Sequence, residues 1–330
     1  MTDYTPPFHM TDKIINLVAL ISEQVGRITV LSHGNLNPHL RKENRIKTIH
    51  SSLAIEHNSL SLEQVTAILN GKRILGNPNE IREVQNAYDA YEMMLTLRPY
   101  SVTDLLKAHH AMMAGLIPEN GKFRSGGVGV FDGDVVIHLA PPAVLVPGQI
   151  QDLFDWYQMS EMHPLIRSAI FHYEFEFIHP FADGNGRMGR FWHSLLLGQW
   201  NEIFYWLPVE ELIRSRQQAY YDVLGKSDRA GESSVFVEFM LQVILDTLQE
   251  TTVVGKAEQK EASQMDPCIR ELLNVLGNKE LSAAEIMEGL GLTRRQTLRR
   301  NYINPALEQG LIEMTIPDKP SSKKQKYRRK

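Results

Sequence analysis

The chain has 330 residues, of which 43% are hydrophobic and 22% charged, and its formal net charge is -4. This length and composition exclude a disordered chain and predict more than one domain with a buried core. The single cysteine, Cys268, excludes an internal disulfide and a zinc site built from cysteines, and no run of about 18 apolar residues predicts a membrane span. We therefore expect a cytoplasmic protein that does not associate with membranes.

Charge is distributed unevenly along the chain. Residues 265–330 carry 13 Lys and Arg against 8 Asp and Glu, whereas the residues before them carry 22 against 31. The polar stretch at 255–264 lacks large apolar side chains, which is typical of a linker or of an exposed helix end. The sequence therefore predicts a basic module at 265–330 that follows an acidic body.

Helical patterns dominate the acidic body. In residues 11–30, apolar side chains recur at the spacing of one helical face, and Thr11 is a suitable N-cap. We assign 1–100 to an N-terminal helical region and 101–254 to a helical core domain. Further helices are predicted at about 38–57, 61–70, 79–97, 102–115, 149–159, 164–178, 187–200, 210–224 and 234–252.

Residues 126–146 interrupt the helical pattern. Two short runs rich in valine flank the sequence Asp-Gly-Asp, which is typical of a β-hairpin with a tight turn. An isolated hairpin is only marginally stable, so we expect it to pack on a neighbouring element. Two interpretations remain open, a flap over a binding cleft and a surface hairpin without a role in binding.

The sequence HPFADGNGRMGR, which follows the predicted helix at 164–178, contains an anion-binding pattern. Gly184, Asn185 and Gly186 permit backbone conformations in which successive N–H groups point into one concavity at the start of the next helix. The N-terminus of that helix carries a partial positive charge, and Arg187 and Arg190 add two permanent cations. This combination predicts a site for a polyphosphate.

Two side chains of the same segment predict a reaction. Asp183 lies beside the anion site, and a carboxylate there is favoured when a cation such as phosphate-bound Mg²⁺ lies between them. His179 is a candidate general base, because neutral imidazole accepts a proton near neutral pH. Each residue taken alone has a structural interpretation as part of a helix end or turn, but their combination favours phosphoryl or nucleotidyl transfer.

The segment resembles the signature of Fic-domain proteins, His-x-Phe-x-(Asp/Glu)-Gly-Asn-Gly-Arg-x-x-Arg, at every fixed position. The resemblance implies a mostly α fold, a Fic-type helical bundle with a β-hairpin flap, plus a C-terminal winged helix-turn-helix domain. It implies that 101–254 is a catalytic core that transfers AMP from Mg²⁺-ATP to a Ser, Thr or Tyr hydroxyl of a protein, including itself. His179 would be the base, Asp183 the Mg²⁺ ligand, and Arg187 and Arg190 the phosphate contacts.

The resemblance extends on both sides of the signature. Gly121-Lys-Phe-Arg124 followed by the hairpin is similar to the family's flap, on which a segment of the target protein docks as an added strand. Tyr220 and Tyr221 lie where family members place an aromatic ring against adenine, and the spacing favours Tyr221. The alternative for this pair is packing in the core.

Residues 51–58, SSLAIEHN, resemble the autoinhibitory motif (Ser/Thr)-x-x-x-Glu-(Gly/Asn) of some Fic proteins. Ser52 and Glu56 match, whereas His57 occupies the Gly/Asn position and Asn58 follows one residue late. The resemblance implies that Glu56 pairs with Arg190 and prevents a productive pose of the γ-phosphate. A glutamate on the surface of a helix is the alternative.

The basic module predicts a helix-turn-helix, with helices at 268–276, 282–290 and 293–301 and Gly291 as a turn. A further helix at 305–312 and a short wing strand at 314–317 follow, and Fic proteins of this type often carry such a winged-helix module. Arginines on the third helix and the basic tail at 323–330 could bind DNA through 282–330. Protein interaction or homodimer formation is the alternative.

Three functions are therefore open. The first is a protein adenylyltransferase restrained by Glu56, and the second is a DNA-binding transcriptional regulator whose Fic core senses a nucleotide. The intact His179 and Asp183 favour the enzyme. The third is a de-AMPylase in which Glu56 orients water to remove AMP from a modified protein.

Overall fold

The computed structural model describes residues 4–31, 38–132, 135–264, 266–277, 279–320, 322 and 324–330. Most of these residues are helical, and the predicted mostly α fold is confirmed. The chain divides into two units, Met1–Thr251 and Thr252–Lys330. No described helix combines the length and the apolar character that a membrane crossing requires.

The helices up to residue 264 follow the predicted order, with two differences. The helix predicted at 210–224 is divided at Arg216, and the helix predicted at 234–252 extends to Gln264, so that the polar stretch at 255–264 is the end of a helix, one of its two predicted interpretations. The helices are α1 (Asp12–Leu31), α2 (Pro38–Ile55), α3 (Leu62–Leu69), α4 (Pro78–Met93), α5 (Val102–Met113), α6 (Val146–Met159), α7 (Pro164–Ile178), α8 (Asn185–Trp200), α9 (Val209–Ser215), α10 (Gln217–Ala230) and α11 (Ser234–Gln264).

Local sequence explains where several helices begin. Thr11 Oγ1 accepts from the Ile14 N–H at 3.2 Å at the start of α1. Ser61 and Gln64 form a reciprocal capping box before α3. Asn77 caps α4, in which Pro78 is the first residue. These caps fix the register of the N-terminal helices that lie beside the signature.

α7 and α8 form the centre of the first unit. Nearly every residue of both helices is buried, which is typical of helices surrounded by others. Large apolar side chains such as Phe171, Phe175 and Trp192 are fully buried there. The connection between the two helices is the signature segment, so the hydrophobic core holds both ends of the candidate site.

The predicted hairpin is present as β1 (Gly129–Asp132) and β2 (Val135–Leu139). The strands are antiparallel, with Gly129 paired to Leu139, and their register shifts between Val130 and Phe131. The predicted turn includes residues 133 and 134, which lie outside the described residues.

The second unit packs short helices on a small sheet around its own apolar core, which includes Leu272, Leu276 and Ile286. The predicted helix at 293–301 is a short α-helix followed by a π-helical stretch, Leu298–Ile303, and the helix predicted at 305–312 ends at Glu308. The elements are α12 (Pro267–Leu276), β3 (Leu281–Ser282), α13 (Ala283–Gly289), α14 (Arg295–Thr297), α15 (Asn304–Glu308), β4 (Ile312–Met314) and β5 (Lys326–Arg329).

The interpretation of 323–330 as a basic tail is wrong. β5 is the central strand of a sheet with the order β3-β5-β4, and it pairs antiparallel with both neighbours. Tyr327 is buried in the core, while Arg328 pairs with Glu313 at 2.5 Å and with Glu280 at 2.9 Å. Alternation of one apolar ring with charged side chains suits a strand that has one buried face.

Candidate active site

His179 stands at the sharp turn that ends α7. It adopts the left-handed conformation, with φ of 51° and ψ of 61°, which costs a non-glycine residue about 1 kcal/mol or more. Hydrogen bonds on both sides of the residue offset this cost. Its N–H donates to the Phe175 carbonyl at 3.0 Å, and its carbonyl accepts from Arg124 Nε at 2.7 Å.

The imidazole of His179 contacts the backbone through one ring nitrogen. Nδ1 lies 3.3 Å from the carbonyl oxygen of Glu176. A carbonyl oxygen only accepts, so Nδ1 carries the ring hydrogen of the neutral tautomer and Nε2 carries the lone pair. The side chain is half-buried. The nitrogen available to take a proton is therefore Nε2.

The start of α8 closes the loop that follows His179. Gly184 caps the helix with φ of 84°, and a Cβ atom there would collide with the sulfur of Met113. The Asn185 side chain accepts from the Phe181 N–H and donates to the Phe181 carbonyl, both at 2.8 Å. Both ends of the Asn185 amide are thus bonded to the loop backbone, so this side chain stabilises the loop.

The first turn of α8 offers the anion site that the sequence predicts. The first N–H groups of a helix have no acceptor within it and concentrate the positive end of its dipole. A Cβ atom at Gly186 would collide with Glu56 Oε1 and come close to Arg190 Nη1. The missing side chain at Gly186 therefore leaves room for an anion, and the Glu56 carboxylate occupies that room.

Asp183 lies at the open side of the loop. Its side chain is 55% exposed, and Oδ1 accepts from the Gly184 N–H at 2.5 Å and from Arg187 Nη2 at 3.1 Å. The described residues hold no group of three or more His, Cys, Asp or Glu side chains that could share a metal ion. One exposed carboxylate beside a phosphate site still fits Mg²⁺, which commonly binds one or two carboxylates together with substrate phosphates.

Arg187 is buried and contacts a second carboxylate, that of Glu83. Its Nη1 lies 3.4 Å from Glu83 Oε1 on α4, and Glu83 Oε2 accepts from Asn58 Nδ2 at 2.7 Å. Glu83 was not among the residues that the sequence pattern identified. It links one predicted phosphate contact to the segment that contains Glu56.

Arg190 is held by the end of α2. The side chain is 2% exposed, Nε donates to Ser52 Oγ at 3.2 Å, and Nη2 donates to the Ser52 carbonyl at 3.0 Å and to Glu56 Oε1 at 2.8 Å. Burial by itself would lower the pKa of Arg190, but the Glu56 carboxylate raises it above its ordinary value. The predicted γ-phosphate contact is thus an ion pair in this conformation.

A Schellman motif places Glu56 at the end of α2. The His57 N–H donates to the Ala54 carbonyl and the Asn58 N–H to the Leu53 carbonyl, both at 3.1 Å. In this motif the residue after the C-cap is left-handed. Glu56 is the C-cap of α2, and His57, which follows it, has φ of 68°. This explains the family preference for Gly or Asn at this position, because a Cβ atom disfavours positive φ.

One known structure matches nearly the whole chain. A crystal structure of a Fic family protein from Desulfovibrio desulfuricans G20 is 50% identical, with a TM-score of 0.78, and the match covers 99% of this chain and 98% of that one. The chain belongs to the Fic family. Residues 99–197 of this Fic protein match the Fic/DOC family model, and residues 267–329 match the model described as Filamentation induced by cAMP protein Fic-like, C-terminal domain.

Curated relatives cover part of this Fic protein. Protein adenylyltransferase Fic of Nematostella vectensis is 29% identical over 60% of this chain and 47% of its own length. Protein adenylyltransferase Fic of Culex quinquefasciatus is 30% identical over 72% of this chain and 47% of its own length. The chain thus spans about half the length of these relatives.

The two candidate adenine contacts of this Fic protein differ in exposure. Tyr220 is buried, and its hydroxyl lies 3.2 Å from Nε2 of the buried His172. Tyr221 is 42% exposed, and its ring lies 5.5 Å from that of Tyr220. Only Tyr221 of this pair has a ring face that is open to a ligand.

Another buried residue, His109 on α5, lies beneath the loop of the Fic signature and was missed by the sequence pattern. Its Nδ1 accepts from the Gly121 N–H at 2.9 Å, so Nε2 carries the hydrogen and donates to the Asp183 carbonyl at 3.0 Å. Its ring stacks on Phe181 at a centroid distance of 3.6 Å. Burial lowers the pKa of His109 to about 4. The only sequence signal was its place on the apolar face of α5, which also suits a packing residue.

Proposed function

We propose that this Fic protein transfers AMP from ATP to a hydroxyl group of a protein, and that Glu56 restrains the reaction. The observation that carries the proposal is the joint placement of the His179 base and the α8 anion site on one loop. Relatives of known name, which are protein adenylyltransferases, support the donor and the group transferred. The alignments cover only part of this chain and of each relative, so the target protein and the partners have to be identified by experiment.

The transfer moves one proton and one adenylyl group. The acceptor O–H gives its proton to His179 Nε2, and the oxygen attacks the α-phosphorus of ATP. The bond between that phosphorus and the bridging oxygen to the β-phosphorus breaks, and pyrophosphate leaves with the electron pair. The product is an AMP ester of the acceptor, and the proton on His179 passes to solvent or to the leaving group.

The positive groups of α8 would bind the phosphates. Arg187, Arg190 and the N–H groups of the first helical turn face the charge that develops on pyrophosphate, and such preorganised donors are often the largest contribution to catalysis. Mg²⁺ bound by Asp183 and the phosphates would neutralise part of that charge. Asp183 also holds Arg187 at 3.1 Å, which keeps that side chain beside the phosphates.

Glu56 restrains transfer by competing for the same groups. Its carboxylate fills the space above Gly186 and forms an ion pair with Arg190 at 2.8 Å. A γ-phosphate in this space would meet a like charge and an arginine already engaged, so bound ATP adopts a nonproductive pose. The Glu56 side chain is 31% exposed, and removal of this one carboxylate frees both the space and the cation.

The flap would hold the acceptor. An antiparallel hairpin with a free edge can add an extended target segment as a further strand, which positions a side chain without a dedicated pocket. Acceptors with little sequence in common could therefore be modified, provided that one segment is extended.

The experiment uses ATP radiolabelled at the α-phosphate or at the γ-phosphate, with cell lysate as the acceptor mixture. Wild-type protein and the Glu56→Gly and Glu56→Gln variants are compared. We expect protein-bound label from the α-phosphate only, with a gain of about tenfold or more for Glu56→Gly and a smaller gain for Glu56→Gln, which keeps the side-chain volume. Label from the γ-phosphate would establish phosphorylation instead, and no label from either donor would refute transfer.

A further inference from the structure

Arg124 connects the flap to the catalytic loop. Its side chain is 3% exposed, and the hydrogen bonds of its guanidinium within the described residues end on carbonyl oxygens. Two of these oxygens lie at the two ends of the hairpin: Nη1 donates to Gly126 at 2.9 Å and Nη2 to Pro141 at 2.5 Å. One planar group thus closes the base of the flap.

The same guanidinium also holds the backbone around His179. Nε donates to the His179 carbonyl at 2.7 Å, and Nη2 donates to the Ile178 carbonyl at 3.3 Å. The main-chain N–H of Arg124 donates to the Pro180 carbonyl at 3.0 Å. Three consecutive carbonyls, those of 178, 179 and 180, are therefore bound by one residue.

These contacts have a geometric consequence. A strand added to the flap is located relative to the ends of the hairpin, whereas the proton acceptor is located by the backbone of His179. Arg124 bonds both, so the distance between the acceptor hydroxyl and Nε2 depends on this one side chain. Misplacement of reacting groups by about 1 Å can lower a rate by about a hundredfold.

We propose that Arg124 is a positioning residue for transfer to protein acceptors, which keeps a strand docked on the flap in register with the imidazole of His179. The proposal rests on the proposed adenylyl transfer. It requires arginine, because a lysine ammonium cannot present donors in a planar fork to carbonyls on opposite sides. Water that attacks ATP in place of a protein hydroxyl is not held by the flap, so hydrolysis of ATP to AMP and pyrophosphate depends less on Arg124.

The test compares the products of two competing reactions of ATP, transfer of AMP to protein and hydrolysis. Arg124→Lys and Arg124→Gln are made in the Glu56→Gly background and incubated with ATP labelled at the α-phosphate and cell lysate. Protein-bound label is divided by the free AMP that hydrolysis releases. We expect this ratio to fall about tenfold or more in both variants, while the affinity for ATP, measured by calorimetry, stays within about twofold of the Glu56→Gly parent.

Arg167→Lys is the matched control. Arg167 Nη1 also donates to two backbone carbonyls, those of Tyr157 and Ser160 at 3.2 and 2.8 Å, but neither belongs to the flap or the signature loop. Loss of this fork should lower the thermal stability and leave the ratio unchanged. A ratio that falls equally in the Arg167 variant would show general loosening and overturn the positioning role.

The outcomes separate this proposal from the proposed function. If the Glu56→Gly parent labels no protein, adenylyl transfer is refuted and the role of Arg124 falls with it. If the parent is active and Arg124→Lys has the same ratio, only the positioning role is refuted. Should both variants fail to fold, the Arg124 Nε–H signal in the NMR spectrum of the Glu56→Gly parent decides. If the proposal holds, this signal shifts when lysate protein that accepts label is added. An unchanged signal contradicts the proposal.

Discussion

Two histidines with positive φ belong to the two segments that meet through Glu56 and Arg190, and their surroundings differ. His179 and His57 are the non-glycine residues with positive φ in the described part of the chain. His179 is fixed by Phe175 on its N–H and Arg124 on its carbonyl, between two helices whose residues are mostly buried. His57 stands at the end of α2, on a segment whose Glu56 is partly exposed.

The unfavourable backbone conformation has a different role at each histidine. At His179 the unfavourable backbone conformation orients a side chain that the proposed chemistry requires. At His57 the same conformation serves the helix end alone, and glycine or asparagine would adopt it at lower cost. We infer that the backbone at His179 is held in a fixed geometry. The end of α2 around Glu56 is held less tightly and can be released.

The largest effect is expected at His179, the proposed general base. His179→Ala in the Glu56→Gly background removes the proton acceptor, and we expect protein labelling to fall about a thousandfold. ATP binding, measured by calorimetry, should change little because the phosphate-binding groups stay in place. Residual labelling above a tenth of the parent rate would show that another group takes the proton.

Low pH should lower the stability of the protein through His109. Burial lowers the pKa of His109 to about 4, against 6.5 in the unfolded chain. The unfolded state therefore binds the proton first, so the contribution of His109 to stability is complete above about pH 6.5 and is lost as the pH drops toward 4, by about 3 kcal/mol. Denaturant unfolding of wild type and of His109→Gln at several pH values separates this loss from that of His172 and His193, whose pKa values are also lowered by burial. His109→Gln should flatten the curve, and an unchanged curve would assign the loss to other groups.

A smaller effect is expected from substitution of His57, which follows Glu56 at the end of α2. His57→Gly relieves the backbone cost, and we expect it to stabilise the restrained state by about 1 kcal/mol and to lower wild-type labelling about fivefold. His57→Ala is the control, since it removes the imidazole but keeps a Cβ atom. Higher labelling by the glycine variant than by the alanine variant would contradict a restraint that depends on the helix end.

Local patterns predicted much of this architecture. α7 ends at Ile178 as predicted, and α8 begins at Asn185, two residues before its predicted start. Helix spacing, glycines and caps act over a few residues, so they are visible in the sequence. The signature residues were found for the same reason, because all of them lie in one short segment.

Contacts between distant segments were harder to predict. β5 contains only one buried apolar side chain, Tyr327, and its pairing with β3 and β4 across the unit has no local signal. Arg124, His109 and Glu83 act through carbonyls or side chains from other parts of the chain, and each alone is compatible with an ordinary packing or surface role. Asn185 is the reverse case, since its motif suggested a ligand contact and its side chain closes the loop.

A double-mutant cycle shows whether Glu56 acts through Arg190. Labelling rates are measured for wild type, Glu56→Gly, Arg190→Lys and the double variant, with ATP labelled at the α-phosphate. If Glu56 acts through Arg190, Glu56→Gly raises the rate when Arg190 is present and has little effect once it is lysine, because the freed guanidinium is the source of the gain. An equal gain in both backgrounds would contradict this and place the action of Glu56 elsewhere.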